Sequence, residues 1–169
     1  MKRFVIHVSL LGCLLLFPAT HAQDIPAVPS ENETALSPVA AALSELKPIS
    51  GSFNKNADYF IYLYSASWCG PCKRIMPQIV QLYKENLSKD KRIEIILLDL
   101  DATEEQAKKY VAHYNADFFA TMGKNPAVDK LPGAYQVRGI PHCIAVDKNG
   151  NRIFGGHAAG LFHNLDKLK

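Results

Sequence analysis

The sequence lacks the features that two common protein classes require. Its longest apolar run, near the N-terminus, covers about 14 residues and is shorter than the ~20 residues of a transmembrane helix. Its formal net charge is only +3 over 169 residues, so it has no strongly basic surface for nucleic acid. We therefore expect no nucleic-acid partner and no stable membrane span in the mature chain.

The N-terminal segment has the composition of a secretory signal peptide. Lys2 and Arg3 form a basic head, the apolar run from Phe4 to Phe17 follows, and the small residues Thr20 and Ala22 lie two positions apart. This order predicts cleavage after Ala22, so that residues 1–22 are removed. The chain would then be exported to the periplasm or cell envelope.

A lipoprotein is the alternative for the N-terminus. Leu10, Leu11 and Gly12 precede Cys13 in a pattern that is similar to a bacterial lipobox, which would anchor the chain through a lipidated Cys13. Against it, the four residues after Cys13 remain apolar, whereas a lipidated cysteine is usually followed by polar residues.

Signal cleavage leaves 147 residues, which is enough for one domain with its own core.

The cysteines that remain after signal cleavage are a close pair and one distant residue. They are Cys69, Cys72 and Cys143, an odd number, whereas a disulfide framework needs an even and dispersed set. A zinc site would require a second pair or suitably spaced histidines, and His113 and His142 do not have that spacing. Haem attachment would require a histidine at position 73, which is Lys73. We expect no metal and no cofactor.

The rest of the chain alternates between strand and helix patterns. Residues 23–37 contain prolines and acidic residues without apolar periodicity, which predicts a flexible leader before a single domain over residues 38–169. Apolar runs at 60–66 and 93–98 predict buried strands. Helical periodicity predicts helices at 38–46 and at 69–87. A third helix is predicted from about residue 101, where Thr103 and Gln106 are spaced as a capping box. A fourth is predicted in the tail, where Leu161, Phe162, Leu165 and Leu168 share a face.

The C-terminal third is predicted to contain a hairpin. Asn149 and Gly150 lie between two short predicted strands, at 144–146 and 152–154, which is a hairpin signal. Residues 115–135 have an irregular pattern that includes glycines and prolines, and we expect a loop there with at most a short helix. Alternating strands and helices that end in a hairpin indicate an α/β sandwich with a mixed sheet.

The position of the cysteine pair points to redox chemistry. Cys69 follows a predicted strand and Cys72 lies one turn into a helix, so the sulfur of Cys69 can face the helix N-terminus. Unpaired amides and the helix dipole stabilise a thiolate there. Pro71 suits the first helical turn. Cys72 is close enough to attack a mixed disulfide on Cys69, which is the resolving step of thiol exchange.

Two motifs resemble the thioredoxin superfamily. The segment from Trp68 to Lys73, followed by Pro77, resembles its active-site segment, and residues 138–141 (Arg-Gly-Ile-Pro) resemble its cis-proline loop. The string "YSASWCGPCKRIMP" and the long middle segment resemble the tryparedoxin and nucleoredoxin-like branch most. The resemblance covers about residues 57–157 and implies a thioredoxin-like three-layer α/β/α sandwich with a central mixed sheet.

The resemblance also implies roles for individual residues. Cys69 would be the attacking thiolate, Cys72 the resolving thiol, and the two would form the redox-active disulfide. The substrate groove would be formed by residues on both motifs, namely Trp68, Gly70, Pro71, Ile140 and Pro141. Many thioredoxins have a buried aspartate six residues before the first cysteine, but this chain has Leu63. A carboxylate that helps to deprotonate Cys72 is therefore missing or supplied elsewhere.

Several other polar residues allow two interpretations. Cys143 is either a third redox thiol or a buried strand cysteine, and the apolar run around it favours the second. Asp99 and Asp101 are expected to cap the following helix rather than to act in catalysis. His142 is expected to face the groove beside Pro141, and His157 is expected to lie in a turn.

The function expected from these features is that of an exported thiol–disulfide oxidoreductase that reduces disulfides in protein substrates. Gly70 and Pro71 between the cysteines resemble reducing thioredoxins more than strong oxidants. An exported reductase needs electrons from across the membrane, so we expect a membrane thiol donor as a partner. The alternatives are a disulfide isomerase or oxidant, and a non-catalytic peptide-binding module with an inert disulfide.

Overall fold

The fold is taken from a computed structural model, which describes residues 35–165. The predicted signal peptide, most of the predicted leader and Leu168 lie outside this range. In chain order the elements are α1 (Pro38–Ser44), β1 (Tyr59–Ser65), α2 (Gly70–Leu82) with a π-helical turn (Tyr83–Leu87), β2 (Ile93–Asp99), α3 (Glu104–Tyr114), β3 (Phe119–Met122), a 3₁₀ turn (Val128–Lys130), β4 (His142–Asp147), β5 (Arg152–His157) and α4 (Ala158–Phe162).

The five strands form one mixed sheet in the order β3-β2-β1-β4-β5. β1 pairs in parallel with β2, and β2 in parallel with β3, while β4 runs antiparallel to both β1 and β5. The two central strands, β1 and β2, are almost entirely buried, because helices or loops cover both faces of the sheet.

Two cores lie on opposite faces of the sheet. Side chains of α2, α3 and α4 pack on the face that carries Ile61, Leu63 and Cys143. Side chains of α1 and of the segment around Val128 pack on the other face, which carries Tyr62. This arrangement is the three-layer α/β/α sandwich with a mixed sheet that the sequence predicted.

The expectation that residues 115–135 contain no strand is wrong. Phe119–Met122 forms the edge strand β3, which pairs with β2, and Ala120 also bridges to Ser50. The strand has four residues and owes its order to these two partners rather than to an alternating pattern of its own. The 3₁₀ turn at Val128–Lys130 is the short helix expected in this segment.

The boundaries of the other elements follow local chemistry. Thr103 and Gln106 form the predicted capping box of α3, since each side chain bonds the backbone N–H of the other residue. Gly150 has a φ of +89° in the turn between β4 and β5, a conformation that glycine adopts without strain. The tail helix α4 is short, and its buried side chains include Leu161.

Candidate active site at the start of helix α2

Cys69 is the N-cap of α2. Its backbone is extended (φ −83°, ψ 108°), and its Sγ accepts a hydrogen bond from the backbone N–H of Cys72 at 3.2 Å. Pro71 occupies the first turn, where its missing N–H leaves no hydrogen bond unmade. The sulfur of Cys69 therefore lies where the amides of the helix N-terminus stabilise negative charge.

Cys69 and Cys72 are joined in a disulfide, with their Cα atoms 5.2 Å apart. The two are not equally accessible: Cys69 keeps 5% of its surface exposed, and Cys72 has none. Ala66 packs against the pair, with the partly buried side chains of Leu100 and Ile140. Cys69 is therefore the less enclosed member of the pair.

The loop before β4 lies beside the disulfide. β4 runs antiparallel to β1, with His142 opposite Tyr64, so residues 140 and 141 lie next to the end of β1 that leads to Cys69. The Ile140–Pro141 peptide bond is cis. The carbonyl oxygen of Ile140 is 3.7 Å from Cys69 Sγ, while Gly139 and Arg138 are exposed.

Trp68 is an exposed aromatic side chain next to the disulfide. It is the only tryptophan in the chain, and 64% of its surface is accessible. Gly70 is half-buried and Pro71 exposed on the same helical turn. An exposed tryptophan next to a reactive group provides apolar contact area for a partner.

Asp101 holds the loop between β1 and Cys69. Its carboxylate accepts hydrogen bonds from the backbone N–H of Ser67 at 3.1 and 3.2 Å and from the Ser67 hydroxyl at 2.9 Å. The expectation that Asp99 and Asp101 cap α3 is wrong, because Thr103 is the N-cap. The contact joins residues 34 positions apart, so it depends on the pairing of β1 with β2, and the local sequence does not reveal it.

Asp99 is a buried carboxyl group close to this contact. Its Oδ1 accepts the backbone N–H of Asp101 at 2.8 Å, and its Oδ2 has no hydrogen-bond partner within residues 35–165. Burial, with Asp101 nearby, raises the pKa of Asp99 to about 7. Ser65, its neighbour on β1, bonds the hydroxyl of Tyr110 at 2.8 Å.

Leu63 occupies the position where many thioredoxins have a buried aspartate. It is fully buried and lies opposite Cys143 on β4 and Leu97 on β2. Because Ser65 and Asp99 are paired two residues further along the same two strands, the carboxyl of Asp99 is on the same sheet face as Leu63. This face of the sheet therefore carries an ionisable carboxyl, but at a different position.

Pro77 lies inside α2 and cannot donate to the carbonyl of Lys73, four residues earlier. The hydroxyl of Tyr114, at the end of α3, donates to that oxygen at 3.3 Å. The bond that the proline removes is thus replaced by one between helices, which connects α3 to the first turns of α2.

Cys143 is fully buried on the face of the sheet that α2 covers. Burial raises the pKa of its thiol well above the ordinary value. These facts agree with a packing role for Cys143, the interpretation that the sequence favoured.

A second groove, lined in part by the cis-proline loop, has a volume of about 600 Å³. His142 lines it, together with Tyr135, Arg138 and His157. His157 was expected in a turn, but it is the last residue of β5 and the N-cap of α4. Arg138 belongs to the motif already noted before Pro141, but sequence alone did not mark its side chain as part of a groove.

The described part of the chain contains neither a cluster of three or more potential metal ligands nor a helix long and apolar enough to cross a bilayer.

Comparison with known proteins supports the motif assignment. The model of the family described as Thioredoxin-like matches residues 56–152. The chain is 37% identical to "Thiol-disulfide oxidoreductase ResA" of Bacillus cereus over 87 residues, which is 52% of this chain and 47% of the relative. It is 34% identical to "Probable nucleoredoxin 1" of Arabidopsis thaliana over 97 residues, which is 53% of this chain and 15% of that protein. The chain thus spans less than half the length of these two curated relatives.

A solved structure has the same fold. Native tryparedoxin I from Crithidia fasciculata superposes with a TM-score of 0.59 at 23% sequence identity, over 77% of this chain and 94% of tryparedoxin. The predicted resemblance to the tryparedoxin and nucleoredoxin-like branch is confirmed by these matches.

Proposed function

Because the chain belongs to the thioredoxin-like family, we propose that it is an exported thiol–disulfide oxidoreductase that reduces disulfides in other proteins. The observation that carries the proposal is the unequal exposure of a disulfide at a helix N-terminus, with Cys69 accessible and Cys72 enclosed. Such a pair has one member that meets the substrate and one that resolves the product.

The reaction needs two exchange steps. In the reduced protein, the Cys69 thiolate attacks one sulfur of the substrate disulfide and forms a mixed disulfide, and the other substrate sulfur leaves as a thiolate that takes up a proton. The Cys72 thiol then loses its proton and attacks Cys69 Sγ, which releases the second substrate thiol. The substrate gains two electrons and two protons, and the protein is left with the Cys69–Cys72 disulfide.

The substrate groove in this proposal is formed by residues on both sides of Cys69. Trp68, Gly70 and Pro71 provide one wall, and Ile140 and Pro141 provide the other. The carbonyl of Ile140, which lies beside Cys69 Sγ, would pair with the backbone of an extended substrate segment. This pairing places a substrate sulfur next to Cys69 without sequence-specific contacts.

Export and the direction of electron flow complete the proposal. Residues 1–22 would be cleaved as a signal peptide, and the protein would act in the periplasm or cell envelope, where a membrane thiol donor would reduce the disulfide again. A measured reduction potential tests the direction. A value near that of thioredoxin, about −270 mV, supports reduction, whereas a value near about −120 mV would indicate an oxidant.

Cysteine variants test the chemistry. Cys69→Ser should abolish insulin reduction, and Cys72→Ser should accumulate mixed disulfides, because attack survives while resolution does not. Cys143→Ser is the matched control and should retain turnover, since that thiol is enclosed. After reduction, iodoacetamide at mildly acidic pH should label Cys69 first, because its thiolate is stabilised by the helix N-terminus.

Two outcomes would reject the assignment. Full insulin reduction by Cys69→Ser would exclude Cys69 as the nucleophile. A reduced wild-type protein that exchanges with no disulfide and resists alkylation would indicate the non-catalytic peptide-binding module instead.

A further inference from the structure

The groove that the cis-proline loop lines has a positively charged side chain, that of Arg138, and no negatively charged one. Eight residues line it, and none of them has a carboxylate; they are Tyr135, Gln136, Arg138, Gly139, Ile140, Pro141, His142 and His157. Because Ile140 also contacts Cys69 through its carbonyl oxygen, the groove adjoins the position that a substrate disulfide would occupy.

Arg138 provides the permanent positive charge of this groove. Its side chain is exposed, and it takes part in none of the ion pairs found between residues 35 and 165. On the other side of Cys69, Lys73 and Arg74 are exposed in the first turns of α2. Asp99 and Asp101, by contrast, are completely buried.

The wall of the groove is held in place by Tyr135. Its hydroxyl is 2.6 Å from Nε2 of His142, and the guanidinium of Arg152 lies 4.7 Å from the centre of its ring. Gly155 permits this packing, since a Cβ atom at that position would come within 2.6 Å of the Tyr135 hydroxyl. The contacts fix His142, while Arg138 has no ion-pair partner among residues 35–165.

The two histidines of the groove have different roles. Burial, together with His157 nearby, lowers the pKa of His142, which favours the neutral ring that pairs with Tyr135. His157 accepts the N–H of Ala159 through Nδ1, so its proton is on Nε2, a hydrogen-bond donor. Arg138 and His157 thus offer donors to an occupant, and charge complementarity favours an anion.

We propose that this groove binds an acidic side chain of the substrate, an aspartate or glutamate close to the cysteine that Cys69 attacks. The proposal rests on the proposed function, because it names the class of protein disulfide that the site prefers. Arg138 is the specificity-determining residue and His157 an auxiliary donor.

The test uses three peptides that differ only in the residues flanking one cysteine, which are Glu, Gln or Lys. Each cysteine carries a 2-thiopyridyl disulfide, whose neutral leaving group absorbs in the ultraviolet when the reduced protein attacks. We expect the single-turnover rate to be about tenfold higher for the Glu peptide than for the Lys peptide, and this ratio to fall as salt is added.

Two variants and one control test whether the groove residues cause the preference for the Glu peptide. Arg138→Glu should abolish or reverse the ratio of Glu to Lys rates. His157→Asn keeps a side-chain acceptor for Ala159 and should reduce the ratio only partly. Lys55→Glu changes the net charge by the same amount, but Lys55 precedes β1 at the end of the sheet opposite Cys69, so the ratio should stay unchanged.

The outcomes separate the two proposals. Equal rates for the three peptides, or the same change in ratio for Lys55→Glu as for Arg138→Glu, would overturn the recognition of acidic substrates. Insulin reduction by the wild-type protein is measured in parallel. If the wild-type protein does not reduce insulin, the proposed function is contradicted, but the ratio of the Glu and Lys peptide rates can still be measured.

Discussion

The carbonyl oxygen of Ile140 lies 3.7 Å from Sγ of Cys69, although 71 positions separate the two residues in the chain. The contact exists because β4 is the antiparallel neighbour of β1 at the centre of the sheet. The disulfide and the cis-proline loop are therefore fixed to two hydrogen-bonded strands, so the distance between them is set by the core rather than by a flexible loop.

The first prediction concerns Pro141, which follows Ile140 and belongs to the proposed substrate groove. Pro141→Ala should lower kcat/KM for insulin reduction about tenfold, because the wall beside Cys69 loses its shape and a substrate segment is positioned less well. The measurement is steady-state insulin reduction with dithiothreitol as donor. Pro126→Ala, at an exposed loop proline outside both motifs, is the matched control. Equal loss in both variants, or no loss in Pro141→Ala, would argue against the substrate groove beside Cys69.

Elements with strong local signals could be predicted from the sequence. The buried apolar strands β1 and β2, the capping box at Thr103 and the turn at Gly150 each follow from residues within a few positions of one another. The edge strand Phe119–Met122 was missed because four residues carry too little pattern, and its order comes from pairing with β2 and Ser50.

In the candidate site, too, the residues in local motifs could be predicted from the sequence, and the contacts between distant residues could not. The cysteine pair and Pro141 lie in recognisable motifs, but the bond between Asp101 and Ser67 depends on strand register. Arg138 and Tyr135 line one groove through tertiary packing, which includes the approach of Tyr135 to Gly155. Periodicity and spacing contain no information about such contacts.

The second prediction concerns Asp101, a positioning residue that acts through Ser67. Asp101→Asn keeps the size of the side chain but replaces one acceptor oxygen with an NH₂ group, so the three hydrogen bonds from Ser67 cannot all persist. We expect the rate at which Cys69 attacks a small disulfide to fall by about 10- to 100-fold, because the loop that carries Trp68 and Cys69 shifts. Single-turnover kinetics with the reduced protein measure this step.

Ser67→Ala is the graded control for Asp101. It removes the hydroxyl donor and keeps the backbone N–H, so its rate should lie between those of the wild type and Asp101→Asn. A purely structural role would lower the free energy of unfolding and leave the attack rate of the folded protein unchanged. That result would reject the positioning role.

The third prediction concerns the pH dependence of stability and the buried carboxyl of Asp99. Its pKa is raised from 3.8 to about 7 in the folded protein, so between these values the folded state holds a proton that the unfolded chain has released. The free energy of unfolding should therefore decrease as the pH rises through this window, with a slope of up to about 1.4 kcal/mol per pH unit from this group. Above a pH of about 7 the contribution has been lost and the slope should flatten.

Asp99→Asn isolates this contribution, because the amide does not titrate and its oxygen can still accept the N–H of Asp101. Urea unfolding of the oxidised proteins, measured from a pH of about 4 to about 8.5, should show the difference between wild type and Asp99→Asn shrinking or changing sign as the pH rises. Asp129→Asn, at an exposed carboxylate, should run parallel to the wild type. If the curve of Asp99→Asn also runs parallel to that of the wild type, the pH dependence does not come from Asp99, because the asparagine cannot titrate.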